Sequence, residues 1–164
     1  MILISDASVL IDLGFVDGID LLPKLGECEV LDLVLMECEH PSQPDLVRTV
    51  KESGISVIPV TQALWIEASS LQAKQLSVQD KLTLCYAAQR KGIVLAGDRP
   101  LREKCLETGI EYRGAIWIVE EAFIKGLIDQ EELCRWISVW PTVGRRIPKI
   151  ELNRLRQVLG CDKA

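Results

Sequence analysis

Histidine is nearly missing from this chain of 164 residues, where His40 stands alone. A zinc site built on imidazoles, or a nucleophilic Ser-His-Asp or Cys-His set, has little to draw on. The six cysteines, Cys28, Cys38, Cys85, Cys105, Cys134 and Cys161, contain no CxxC pair. Several lie among apolar neighbours and read as small hydrophobes of a reducing compartment. Long apolar runs are also absent: VLIDL (9–13) and AIWIV (115–119) are far too short to cross a bilayer. The opening MILISD lacks the basic-then-apolar order of a secretory signal, so a cytoplasmic location without membrane attachment is expected. No repeat, low-complexity tract or Gly-, Pro- and Ser-rich linker interrupts the chain, which predicts one domain over residues 1–164.

What the chain does contain is core material, with 48% hydrophobic and 26% charged residues. The net charge of −5 argues against a tight nonspecific grip on nucleic acid, which Lys and Arg would have to supply. The charge is unevenly spread, however. The segment GRRIPKIELNRLRQVL (144–159) carries Arg145, Arg146, Lys149, Arg154 and Arg156 against Glu151 alone. It reads either as a solvated helix face or as a stripe that meets phosphates.

MILIS, GISVIPV (54–60) and GIVLA (92–96) have the length and apolar character of buried strands, and a further strand ends in ECEVLD. Helical patterns lie between and after them: ASVLIDLGF, TQALWIEASSLQAKQ, SVQDKLTLCYAAQRKG with Gly92 as its stop, and PLREKCLETG with Gly109 as its stop. Beyond residue 114 the pattern is helical throughout, in AIWIVEEAFIKG, DQEELCRWISVW and KIELNRLRQVLG. Alternating strands and helices predict an α/β fold with a mostly parallel sheet covered on both faces.

Four acids stand out against that pattern. Asp6 directly follows the first strand, and Asp98 follows GIVLA. In an open parallel sheet that edge is where ligands bind. Asp80 opens the helix before GIVLA, and Glu37 lies about one turn into the short helix after ECEVLD. Each also has a purely structural reading. Asp6 and Asp98 could cap the helices that follow them, Ser77 and Asp80 match a capping box, and Glu37 competes with Glu39 two residues on. Asp32 reads as the cap of the short helix, and Asp12 and Asp17 as surface acids. Carboxylates gathered without counter-charge repel one another and take up protons, a conflict that a divalent cation removes. Mg²⁺ or Mn²⁺ prefers such hard oxygen donors and keeps several waters, which suits hydrolysis of a phosphodiester.

With SDASVLIDL near the start, Glu37 after the second strand, Asp80 in SVQDKLTLCYAAQRKG and Asp98 in IVLAGDRPLREKC, the chain resembles the PIN domain family of metal-dependent nucleases. GIEYRGAIWIVEEAFIKGLI and the closing KIELNRLRQVLG are similar to a small prokaryotic subgroup of it. The resemblance implies a three-layer α/β/α PIN-like fold with a central parallel sheet of about five strands and extra C-terminal helices over about 115–160. It also implies Mg²⁺ or Mn²⁺ held by Asp6, Glu37, Asp80 and Asp98, and endoribonuclease activity on single-stranded RNA of the VapC-like toxin kind. In that reading Asp6, Asp80 and Asp98 hold metal while Glu37 orients or deprotonates the attacking water. The implied partners are RNA, an antitoxin protein and a second copy of the chain in a homodimer.

The chain departs from the family at Ala96, where many members carry Ser or Thr two residues before the last aspartate, and at Gly97, where the subgroup often has a second acid. The alternative reading is therefore a PIN-like module, weakly active or inactive, that binds protein or RNA. Trp136 and Trp140, four residues apart beside Leu133 and Ile137, form one apolar stripe. Core packing is the plain reading of that stripe; a dimer face or a groove for an antitoxin helix is the sharper one.

Overall fold

Short β-branched runs separated by helical patterns can bury their apolar faces together only if the strands line up in one direction with helices over both sides. The computed structural model describes residues 1–161 and takes that arrangement. Its strands are β1 (Ile2–Ser5), β2 (Glu27–Leu31), β3 (Ser56–Ile58), β4 (Ile93–Leu95) and β5 (Tyr112–Arg113). They form one sheet in the order β3-β2-β1-β4-β5, and every pairing is parallel. Helices α1 (Ala7–Gly14) and α2 (Leu22–Leu25) connect β1 to β2, and α3 (Asp32–Leu35) and α4 (Leu46–Glu52) connect β2 to β3. The chain then crosses the sheet through α5 (Gln62–Ser70) and α6 (Val78–Arg90) to β4, and α7 (Arg99–Thr108) leads to β5. The helices α8 (Ala115–Ile124), α9 (Gln130–Thr142) and α10 (Lys149–Leu159) complete the described residues.

Successive strand residues face opposite sides, and the two cores follow that alternation. Leu3 and Leu95 face the larger apolar cluster with α1, α8 and α9, while Ile4 and Val94 face a smaller one with Leu84, Ala87, Leu101 and Cys105. The result is the expected three-layer α/β/α architecture. The Trp136 and Trp140 stripe belongs to the core: both rings are buried edge to face, 6.4 Å between centroids, and Trp140 Nε1 donates to the Asp12 carbonyl at 2.8 Å. Among the described residues no helix is long and apolar enough to cross a membrane.

The packing differs from expectation at Asp12, at Gly92 and at two of the cysteines. Asp12 is not a surface acid: its side chain is buried and paired with Arg145, whose Nη2 also donates to the Ser8 carbonyl. The pair anchors the turn between α9 and α10 to the first helix. Gly92 does not end α6; Lys91 does, in the left-handed conformation at φ 52°, and the Gly92 amide closes on the Ala87 carbonyl. Gly92 is needed instead for close approach, since a Cβ there would lie 3.0 Å from Ile4 and 3.3 Å from the Ile2 carbonyl. Of the cysteines, Cys28, Cys38, Cys85 and Cys105 are buried free thiols, but Cys134 and Cys161 form a disulfide. It arises because α10 folds back antiparallel on α9, which also brings Arg156 to the Ile137 carbonyl.

In the middle of β2, Glu29 is buried and takes hydrogen bonds from Tyr86 Oη at 2.8 Å and Arg90 Nη2 at 2.8 Å. This lashes the last turns of α6 to β2 and fixes which end of α6 meets the carboxyl ends of the strands. Tyr86→Phe removes one of the donors to a buried carboxylate, at a cost of about 1–2 kcal/mol, or a melting temperature lower by about 2–6 °C. Thermal unfolding checks this, and an unchanged midpoint would mean that Arg90 alone satisfies Glu29.

Candidate functional site

In a parallel sheet the helix after a strand begins at the carboxyl rim and runs back, so that rim collects strand ends and helix starts together. The strand order reverses between β1 and β4, and a crevice opens at such a point beyond the carboxyl ends of the strands. Asp6 and Asp98 sit on its two sides. Asp6 continues β1, its amide donating to the Leu95 carbonyl of β4 at 2.9 Å. Asp98 follows β4 after Ala96 and Gly97.

Asp6 both caps α1 and organises the crevice. One carboxylate oxygen accepts from the Val9 amide at 2.9 Å, and the other from Ser8 Oγ at 2.7 Å and the Gly97 amide at 3.3 Å. These three donors favour the charged form, yet burial outweighs them and, with Asp98 adding its like charge, pushes the Asp6 pKa up to about 7. Asp98 occupies the cap position of α7, but its side chain makes no capping hydrogen bond, and the carboxylate is exposed to solvent. A helix start normally takes up an acid in that position. This one is left available to a ligand.

Asp80 lies in the first turn of α6, where Ser77 Oγ accepts from its amide at 3.1 Å. The capping box holds, with Ser77 also hydrogen-bonding the Asp80 carboxylate through its backbone and hydroxyl, but burial and then the charge of Asp98 outweigh these and raise Asp80. Glu37 stands in the tight turn Met36–Cys38 after α3, and partial burial, then Asp80 and Asp98, raise its pKa. Asp32 is the first residue of α3 rather than its cap, and its Oδ1 joins the exits of β2 and β3 by accepting from the Leu33 and Val60 amides at 2.7 and 3.2 Å.

The four sequence-derived acids share one electrostatic neighbourhood: burial is the main cause that raises Asp6, Glu37 and Asp80, and the like charge of Asp98 adds to each. Among the described residues none of the four forms an ion pair. Nor do three His, Cys, Asp or Glu side chains there form a ready-made ligand cluster. The donor chemistry fits a hard divalent cation, since the four carboxylates, of which Asp6, Glu37 and Asp80 are raised, have no ion-pair partner among the described residues. The thiols nearby are poor nucleophiles, because burial pushes Cys38 up to about 12 and Cys105 up to about 11.

The Ala96 and Gly97 departures have physical causes. Ala96 is fully buried in the smaller core, and its carbonyl accepts from Arg102 Nε at 2.7 Å. Gly97 has no room for a side chain, because a Cβ there would stand 2.6 Å from Ser8 Oγ, the hydroxyl that also accepts from the Gly97 amide at 2.9 Å. Gly97→Ala therefore drives Ser8 off Asp6, at an expected cost of about 1–3 kcal/mol by overpacking. The same change made in Ser8→Ala should cost clearly less, a non-additivity that a double-mutant unfolding cycle reads. Additive losses would mean that the Ser8 hydroxyl is not the obstacle.

Of the other residues on this rim, Ser8 was legible as a neighbouring hydroxyl with a turn or cap role and Gly97 as a departure from the family pattern, while the place of Asp12 was missed. The one available signal was the spacing of Ser8 and Asp12, four apart on the same face of α1. No curated relative matches the chain. A family model described as PIN domain matches residues 2–160, nearly the whole length. With the acidic rim at the β1–β4 switch point and the five-stranded parallel sheet, the chain belongs to the PIN domain family and carries its nuclease-type fold.

Proposed function

We propose that the protein is an Mg²⁺- or Mn²⁺-dependent endoribonuclease that hydrolyses phosphodiesters of single-stranded RNA, with a toxin role in a toxin–antitoxin pair as its setting. The observation that carries the reading is that Asp6, Glu37, Asp80 and Asp98 lie at the carboxyl rim of the sheet, the first three raised by burial with the like charge of Asp98 adding to it, and none of the four ion-paired among the described residues. Asp6, Asp80 and Asp98 would hold the metal. The ion would lower the pKa of a coordinated water and offset charge on the phosphate. Glu37, made more basic by partial burial and then by Asp80 and Asp98, would take the proton from the attacking water. Ser8 and the Gly97 amide fix the orientation of the Asp6 carboxylate and need not touch substrate. With every nearby thiol protonated and one histidine in the chain, direct attack by water is the route left to these residues.

The test is cleavage of end-labelled single-stranded RNA by purified protein with Mn²⁺. Products that disappear with chelator and in Asp6→Asn support the reading, and equal cleavage by wild type and variant would reveal a contaminant. One observation favours a second reading, a binding module without catalysis: Ala96 stands where a hydroxyl is common, and its side chain faces the core rather than the crevice. In that case Mn²⁺ leaves RNA uncut while RNA or protein binding persists. The toxin role is checked by inducing the chain in growing cells. Arrest that a neighbouring antitoxin gene relieves supports it.

A further inference from the structure

The basic segment 144–159 is mostly occupied within the chain. Arg145 pairs with Asp12, Arg154 pairs with Glu120 and Glu151, and Arg156 donates to the Ile137 carbonyl. Among the described residues Arg146 and Lys149 have no ion-pair partner, and Arg146 alone borders the catalytic rim. It lines a cleft with Ser8, Gly97 and Asp98 on one side. On the other it lines a second cleft with Arg102, Trp117 and Pro148. Gly97, Asp12 and Arg146 border both, so the two form one continuous trough leading away from Asp98.

The electrostatics of the outer cleft follow from its charged walls. Asp12 and Glu151 face it, but Arg145 answers the first and Arg154 the second. Arg102 and Arg146 are left over, and the cleft is locally positive on an acidic protein. Arg102 is rigidly placed: its Nε donates to the Ala96 carbonyl at 2.7 Å, and its guanidinium lies 5.7 Å from the Tyr112 ring centroid. That guanidinium fills the space where any residue but glycine at position 114 would put its Cβ. Beyond the two arginines the wall turns apolar with Ile116, Trp117 and Pro148, and the Trp117 ring is half-buried with Arg113 stacked 5.8 Å from its centroid. A positive groove ending on an aromatic platform is how proteins hold single-stranded nucleic acid, phosphate on the cation and base on the ring.

We propose that this trough is the subsite for the nucleotide next to the scissile phosphodiester, with Arg146 and Arg102 receiving its phosphate and Trp117 with Pro148 receiving its base. The assignment rests on the ribonuclease reading and adds to it where the strand lies and why the substrate is single-stranded: a paired base could not turn onto the ring. It also gives the net acidic protein a local means of holding a polyanion beside its own carboxylates.

The test measures binding apart from cleavage, by fluorescence anisotropy of a short 5′-fluorescein single-stranded RNA in chelator, for the full chain and its variants. Arg146→Ala should weaken binding about five- to tenfold and reduce the slope of log affinity against log salt by about one, with Arg146→Lys retaining most of both. For wild type, a strand with abasic residues should bind about fivefold or more weakly than the intact strand, and Trp117→Leu should erase that difference. Circular dichroism melting confirms that the variants are folded. Wild-type affinity and salt slope in Arg146→Ala would overturn the subsite, as would no RNA binding by the wild type at low salt. Asp98→Asn separates the two ideas. If wild type binds RNA through Arg146 yet never cleaves it, the ribonuclease reading falls and the trough stands. If Asp98→Asn stops cleavage while Arg146→Ala binds and cleaves as wild type does, only the trough falls.

Discussion

Asp98→Asn should cut RNA cleavage with Mn²⁺ by at least about a hundredfold and at the same time make the metal-free protein more stable. The two effects have one cause. Asp98 adds its like charge to the burial that raises Asp6, Glu37 and Asp80, and its carboxylate makes no capping bond that the fold would miss. Its removal takes a ligand from the proposed metal site, where even an outer-shell partner is worth about 10–100-fold. It also relieves repulsion in the apo rim, a gain of about 0.5–1 kcal/mol of the kind seen when active-site strain is removed. Denaturant unfolding in chelator, set beside cleavage assays, reads both. A variant that loses cleavage by losing stability would show instead that Asp98 is a structural residue.

The second large effect is on the pH dependence of stability. An acid whose pKa is raised on folding binds more protons in the native state than in the unfolded chain. Its stabilising contribution is complete below the unfolded pKa and is lost as pH rises through the folded one. For Asp6 the window runs from 3.8 to about 7. At about 1.4 kcal/mol per pKa unit, deprotonation of Asp6 alone withdraws a few kcal/mol across that window, and Glu37, Asp80 and Asp12 shift in the same direction. Metal-free protein should accordingly lose stability between pH 4 and 7 relative to Asp6→Asn, whose profile should be flatter. Mn²⁺ should restore the loss at pH 7 and do little at pH 4, because protons compete with the cation for the same oxygens. Equal slopes for wild type and Asp6→Asn would show that Asp6 is ordinarily ionised in the folded protein.

The positions of Asp6, Asp80 and Asp98 were legible in the sequence because each obeys a local rule, whereas Glu37 competed with Glu39. Asp6 follows its apolar strand run directly, Asp98 follows GIVLA after Gly97, and Asp80 stands three residues after a capping serine. Strand alternation with helical runs was enough for the α/β/α order, and Gly109 marked the end of α7 at φ 73°. What escaped depends on residues remote in the chain. Asp12 looks like a surface acid until Arg145, 133 residues later, reaches it. The Gly97 amide meets Ser8 Oγ across 89 residues, and no local pattern announces that. Cys134 and Cys161 lie 27 residues apart and meet only because α10 doubles back on α9. The end of α6 was misplaced by one residue because Lys91 takes a left-handed conformation that glycine usually supplies. The basic tail was ambiguous for the same reason. Which arginine is left for a phosphate depends on which acids the fold sets opposite the others.

Calorimetric titration with Mn²⁺ at pH 7.5 addresses the shared cation most directly, for wild type, Asp6→Asn, Asp98→Asn and, as a carboxylate outside the rim, Glu131→Gln. Saturable binding by wild type and Glu131→Gln, weakened at least about tenfold in each rim variant, is the outcome expected if Asp6 and Asp98 hold one ion between β1 and β4. Mn²⁺ bound equally by all four proteins, or by none, would contradict it.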